Sequence, residues 1–407
     1  MTGMSGRDNT ELTYLYERRR AVTAGIIEAA GATFLLLIAV KWFKAEAFSK
    51  GLVAGGGSIG LLLTPWLVAV VARSGLPVAQ VAGHLSMVGG LVLLFMAVVP
   101  SLPVFVIGSI VSMATAAMAV PLMTQIYQEN YPAAIRGRLF SRTIMIRIAA
   151  AALFSDLAGR FLSGGRLHLF QWLLVFFAFS FFYAGLCLYR CPSRPLTVAG
   201  GTHLLRAWSC LREDRVFFRT IVCWMLMGFA NLMMFPMRVE YLANPQYGLA
   251  LSITLIALYT GVIPNLARLV LSPVWGWLFD HMNFFMLRVV LNMGFALGIL
   301  TFFMSTSTAG LVLGALVFGV SNAGGDVAWN LWVTKFAPPD RVADYMSVHT
   351  FFTGVRGVLA PLVSFHLLHG MTMGSLGILS TALIIGASLM LLPEVRASLV
   401  RKHPGAH

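Results

Sequence analysis

Polar residues in this chain are confined to short intervals between long apolar runs. Six runs lie near 21–40, 51–72, 78–98, 103–126, 141–163 and 168–189. Six more lie near 217–237, 251–279, 284–305, 309–334, 343–368 and 373–392. Each can form a helix that crosses a ~30 Å hydrocarbon layer. The pattern predicts twelve spans, six and six. Pro264 predicts a kink in the 251–279 run. Between the two sets, residues 190–216 hold Pro192, Pro195, Gly200, Gly201 and a cluster of charges. There Leu204, Leu205, Trp208 and Leu211 recur at helical spacing, which predicts a short interfacial helix. Residues 1–20 are polar and end in Arg18-Arg19-Arg20. The run that follows is too long for a signal peptide and contains Glu28, so it reads as an uncleaved first span.

Composition agrees: 58% of residues are hydrophobic, 11% are charged, and mean hydropathy is +0.82. The fold class expected is an all-α integral membrane protein of twelve transmembrane helices. The net charge of +14 does not mark a nucleic-acid protein, because the bases sit in alternate loops. With the N-terminus placed in the cytoplasm, twenty of the 29 Lys and Arg residues fall on that side, Arg288 among them. Six fall outside, including Lys41, Arg160 and Arg238; Arg147, Arg268 and Arg356 lie within spans. Both termini are therefore expected to be cytoplasmic, in a plasma or inner membrane. The four cysteines show no zinc spacing, and disulfides are not expected.

Ionisable groups inside a span are costly and mark functional candidates. Asn322, Asp326 and Asn330 share one helix face, and His349, Thr353 and Arg356 share a face of the next span. Asp326 stands about 13 Å from Lys335 along the helix, near the midplane. An Asp326–Arg356 ion pair beside His349 is expected on height alone, with Asp326 a proton site and His349 a relay. Glu28 stands alone in span 1 on a face with Gly25 and Gly31, and Gly228-x-x-Asn231 echoes it in span 7. Arg147 and Asp156 are too far apart on one helix to meet, so both are expected to find partners on other helices, in gating. Arg268, with Asn265, follows Pro264 and is expected to face a cavity. Met233 and Met237 could serve a soft metal, though methionine more commonly fills uneven packing.

The two halves repeat. Pro132 and Pro338 each lie nine residues before a serine, at an offset of 206, and Thr64-Pro65 and Ser272-Pro273 match at an offset of 208. Duplicated halves are typical of secondary transporters. With its basic loops and polar centre, the chain resembles the major facilitator superfamily. Gly276-Trp277-Leu278-Phe279-Asp280 resembles that family's loop motif, although His281 and Asn283 replace a base and a glycine. In the first half Arg73 and Gly75 fit, but Ala72 replaces the aspartate.

The resemblance implies two pseudo-symmetric six-helix bundles, 1–189 and 217–407, joined by a linker at 190–216. It implies gating roles for Gly276, Asp280 and Arg73, and a coupling or binding role for Glu28. The function expected is proton-coupled secondary transport of a small organic solute by alternating access. An uncoupled facilitator or exchanger, drug efflux and soft-metal transport are the alternatives. The partners expected are the solute, protons and the lipid bilayer, with no nucleic acid, no cofactor and no bound metal, in a monomer. No HExxH, phosphate loop or serine-based arrangement suggests an enzyme.

Overall fold

The computed structural model describes residues 2–196, 204–335, 337 and 342–402. Twelve long helices follow one another: α1 (Asn9–Lys41), α2 (Ala47–Ser74), α3 (Val78–Val98), α4 (Leu102–Asn130), α5 (Ala133–Leu162), α6 (Phe170–Tyr189), α7 (Arg215–Ala243), α8 (Ile253–His281), α9 (Phe284–Phe303), α10 (Thr308–Leu331), α11 (Val342–Leu367) and α12 (Met373–Lys402). Eleven are long and apolar enough to cross a membrane. The twelfth, α5, falls short because Arg147, Asp156 and Arg160 interrupt its apolar run. The protein is thus all-α and built to span a membrane, as its hydropathy pattern predicts. The linker helix also forms, over Leu204–Glu213.

The polar N-terminal stretch departs from expectation. It is helical from Thr2 and runs unbroken into the first span. Glu17 and Arg20 lie one turn apart there and bond at 2.5 and 2.7 Å, and the Tyr127 hydroxyl donates to Glu17 at 2.6 Å. Asn130 donates to Thr13 at 2.9 Å and to the Pro192 carbonyl at 2.7 Å. A polar segment can extend the helix because α4 supplies partners for its buried groups.

Two helices carry a single π turn, α1 at Ala30–Phe34 and α8 at Leu258–Val262. The kink expected at Pro264 takes this form. Proline has no N–H to close the ladder and crowds the preceding turn, and a π turn just before it absorbs both. Thr33 and Thr260, one in each π turn, meet at 3.1 Å.

The chain divides into two compact units. The first comprises Met1–Gly201 with Leu242–Val262, and the second Thr202–Tyr241 with Ile263–His407. In the first, Leu67, Val71, Ala82, Leu122, Ile126 and Leu188 form a core between α2, α3, α4 and α6. In the second, Phe217, Trp224, Leu287, Leu291, Trp332 and Tyr345 form an aromatic core. Small residues let backbones approach, as helix association in lipid requires. A side chain at Gly60 would overlap the Ala114 backbone carbonyl of α4.

Gly60→Ala should therefore destabilise the first unit by about 1–3 kcal/mol, the usual cost of overpacking. Gly386→Ala on α12 meets nothing within 4 Å and should be neutral or stabilising, so thermal unfolding of the two variants checks the packing. The four cysteines are buried and not joined in disulfides. Burial pushes the Cys191 thiol, just beyond α6, up to about 12. Cys191 should resist iodoacetamide to about pH 10 in the folded protein and react on unfolding. Its contribution to stability should fall as pH rises from about 9 toward 12, because the unfolded thiol ionises first.

Candidate functional site

The charged residues inside the spans form a few separate constellations. In the second unit, Asp326 on α10 receives Arg268 Nε of α8 at 2.5 Å, and Asn265 accepts from Arg268 Nη1 at 3.3 Å. Helices α8 and α10 approach closely because Gly319 lies against the Pro264 and Ala267 backbone and side chain. The Arg268 side chain is nearly buried, at 11% exposure, whereas that of Asp326 is 40% exposed. The pair thus presents its carboxylate outward and its guanidinium inward.

This corrects the pairing expected from height. Arg356 does not meet Asp326; it turns toward α7 and donates from Nη1 to the Trp224 carbonyl at 2.5 Å. Gly228 makes this possible, since any side chain there would occupy the space of the guanidinium. Depth along a helix was readable from spacing, but azimuth around it was not. His349 does lie in the same region as Arg356, among Trp224, Trp329 and Trp332, with ring centroids 5.1–5.6 Å away. Thr353 donates to the His349 carbonyl.

In the first unit Glu28 is not alone. Arg147 of α5 pairs with it at 3.0 Å, and Gly25 brings the α1 and α5 backbones together beside the pair. Arg147 therefore has its partner on another helix, as expected. Asp156 does not: Arg160, one turn on, pairs with it at 2.8 Å. That i,i+4 neighbour is legible in the sequence, inside the same predicted span.

The remaining candidates sit apart from these groups. Asn322 shares the α10 face of Asp326 and is half-buried. The side chain of Asn330 lies outside the described residues. Asn231 on α7 has a buried Oδ1 without a hydrogen bond. Arg73 and Asp280 are exposed at the ends of α2 and α8, and neither is ion-paired among the described residues. Gly276 faces open space. Met233 and Met237 are buried in the packing of α7.

Three residues expected on the aqueous sides of the membrane lie in helices. Arg288 and Arg238 are 4% and 3% exposed inside α9 and α7. Lys41 ends α1 and donates to the Leu251 carbonyl at 2.9 Å. Arg288 had a signal. Asn283 caps α9 by accepting from Phe285 and Met286 N–H groups. Phe284, Leu287, Arg288 and Leu291 then fall on one buried face.

The sequence model of the Major Facilitator Superfamily matches residues 77–361. The chain belongs to that superfamily. No curated protein matches it in sequence. Among solved structures it resembles the nucleoside transporter NupG, with a TM-score of 0.74 at 14% identity over 94% of this chain and 98% of that one. It also resembles a POT family transporter in complex with a thioalcohol-conjugated peptide, with a TM-score of 0.73 at 12% identity over 96% of each chain. A D-xylose-proton symporter gives 0.62 at 18% identity over 95% of this chain and 96% of that one. At these identities the likeness is one of fold, and the chain is a multi-pass secondary transporter of the superfamily.

Removing one member of the Arg268–Asp326 pair takes the attraction of this ion pair from the other. For a fully buried pair this costs ~3–5 kcal/mol; the exposure of Asp326 reduces it to roughly 1–2 kcal/mol. Arg268→Gln and Asp326→Asn should each lower the unfolding temperature, and the double variant should lose less than their sum. Additive losses would show that the pair is not coupled.

Proposed function

We propose that this transporter moves a small organic solute by alternating access and couples that movement to protons through Asp326. The halves 1–189 and 217–407, joined by 190–216, carry the movement in a plasma or inner membrane, with both termini cytoplasmic. The chain acts as a monomer and uses no cofactor. The observation that carries the coupling is the asymmetry of the Arg268–Asp326 pair. Its carboxylate is reachable and its guanidinium is buried. Protonating Asp326 removes the negative charge that holds Arg268 and weakens the hold on its Nε–H donor. A solute then competes with the proton for the same charge balance, and this competition links the two. The Glu28–Arg147 pair is the second coupling candidate, with side-chain exposures of 27% and 36% for Glu28 and Arg147. Asp156 is a poorer one, because Arg160 holds it locally and is itself largely exposed.

The test is proton movement in proteoliposomes of purified protein, read with a pH-sensitive dye. Amino acids, sugars, organic anions and cationic drugs are added in turn. A solute-dependent proton signal is expected in the native protein and in Asp156→Asn, and its loss in Asp326→Asn. A signal unchanged by Asp326→Asn but lost in Glu28→Gln would move coupling to the first unit. Solute flux with no proton signal would make the protein an uncoupled facilitator.

A further inference from the structure

We infer that the second unit holds a closed binding site for an organic carboxylate, formed by Arg288, Arg356 and His349 within a tryptophan-lined box. The three groups come from α9 and α11 and are 4%, 5% and 1% exposed. All three meet at Trp224: Arg288 lies over its ring, Arg356 donates to its carbonyl, and His349 stands 5.3 Å from it, centroid to centroid. Among the described residues no carboxylate is paired with either arginine. Of the other buried cations, Arg20 has Glu17 and Arg268 has Asp326, while Arg238 lies over the rings of Phe235 and Phe318.

Hydrogen bonding leaves the same deficit. A guanidinium offers five N–H donors. Arg288 places one on the Met227 sulfur at 3.2 Å, and Arg356 places one on the Trp224 carbonyl. Arg356 Nε and His349 Nε2 are buried without a partner. The guanidinium carbon of Arg288 stands 3.9 Å from the Trp224 ring centroid, a cation–π contact that accounts for that arginine in part. No such contact accounts for Arg356. Two cations held together away from water, with donors unspent, are costly to fold and fit an anion.

The surroundings narrow its class. Planar forks match a carboxylate or a phosphate. Trp224, Trp329, Trp332 and Phe284 pack around the cluster, with Trp224 and Trp332 stacked at 4.7 Å and Trp224 and Phe284 at 6.4 Å. Such surroundings suit an acid with a flat apolar body and leave an inorganic anion half unmatched. The site is separate from the Arg268–Asp326 pair. That its ligand is also cargo rests on the transport reading, whereas binding does not.

The experiment is therefore a binding one. Purified protein in detergent is unfolded by heat with a thiol-reactive fluorogenic dye, which reports exposure of the four buried cysteines. Sodium benzoate is titrated against benzamide and against sodium chloride at matched ionic strength. Benzoate should give a saturable rise of about 3 °C or more, and the other two little or none. The rise should vanish in Arg356→Met and Arg288→Met and persist in Arg166→Met, an exposed arginine. Without benzoate, Arg356→Met should be at least as stable as the native protein, because it removes an unpaired buried charge. Arg356→Lys keeps the charge but not the fork and should weaken benzoate about tenfold or more. No response to benzoate, an equal response to benzamide or chloride, or an undiminished response in Arg356→Met would overturn the proposal. None of these outcomes depends on whether proton coupling is found.

Discussion

A charge inside hydrocarbon has to be answered by something nearby, and the placement of ionisable groups in this protein follows from that requirement. The first unit answers its charges with opposite charges. Glu17 and Arg20 lie one turn apart, Glu28 meets Arg147, and Asp156 meets Arg160. The second unit answers some of its charges differently. Arg268 has Asp326 and Arg219 has Glu394, but Arg238 lies over the rings of Phe235 and Phe318. Arg288 lies over Trp224, and Arg356 reaches a backbone carbonyl. The aromatic core of this unit thus packs its helices and also shelters Arg288.

Backbone deformation sets these groups in place. The π turns of α1 and α8 shift the register of everything beyond them, and Arg268 follows directly after the one next to Pro264. Glycine acts in the opposite sense, by removing bulk. Gly25 lets α1 lie on α5 where Glu28 meets Arg147, and Gly228 clears the space that Arg356 fills. Local packing at these points decides which pairs can form.

The polar sites differ in access, which suits different tasks. The Asp326 side chain is 40% exposed, whereas His349, Arg288 and Arg356 are closed in. A closed cluster of donors makes an occluded site that must open before it fills.

Hydropathy and spacing by themselves determined the all-α membrane class, the long apolar helices, the linker helix and the superfamily resemblance. These depend on run length and period, which survive without knowledge of neighbours. They also picked out Asp326, Glu28, His349 and Arg356 as unusual, because charge within an apolar run is a local fact. Tertiary structure decided who pairs with whom. Asp326 took Arg268 and not Arg356, because height along a helix is countable but rotation about it depends on packing. Arg238 and Arg288, expected on the aqueous sides, are buried because a core receives their side chains. Whether a charge is paired, stacked on a ring or left with free donors is a property of several chain segments at once, and no single stretch of sequence contains it.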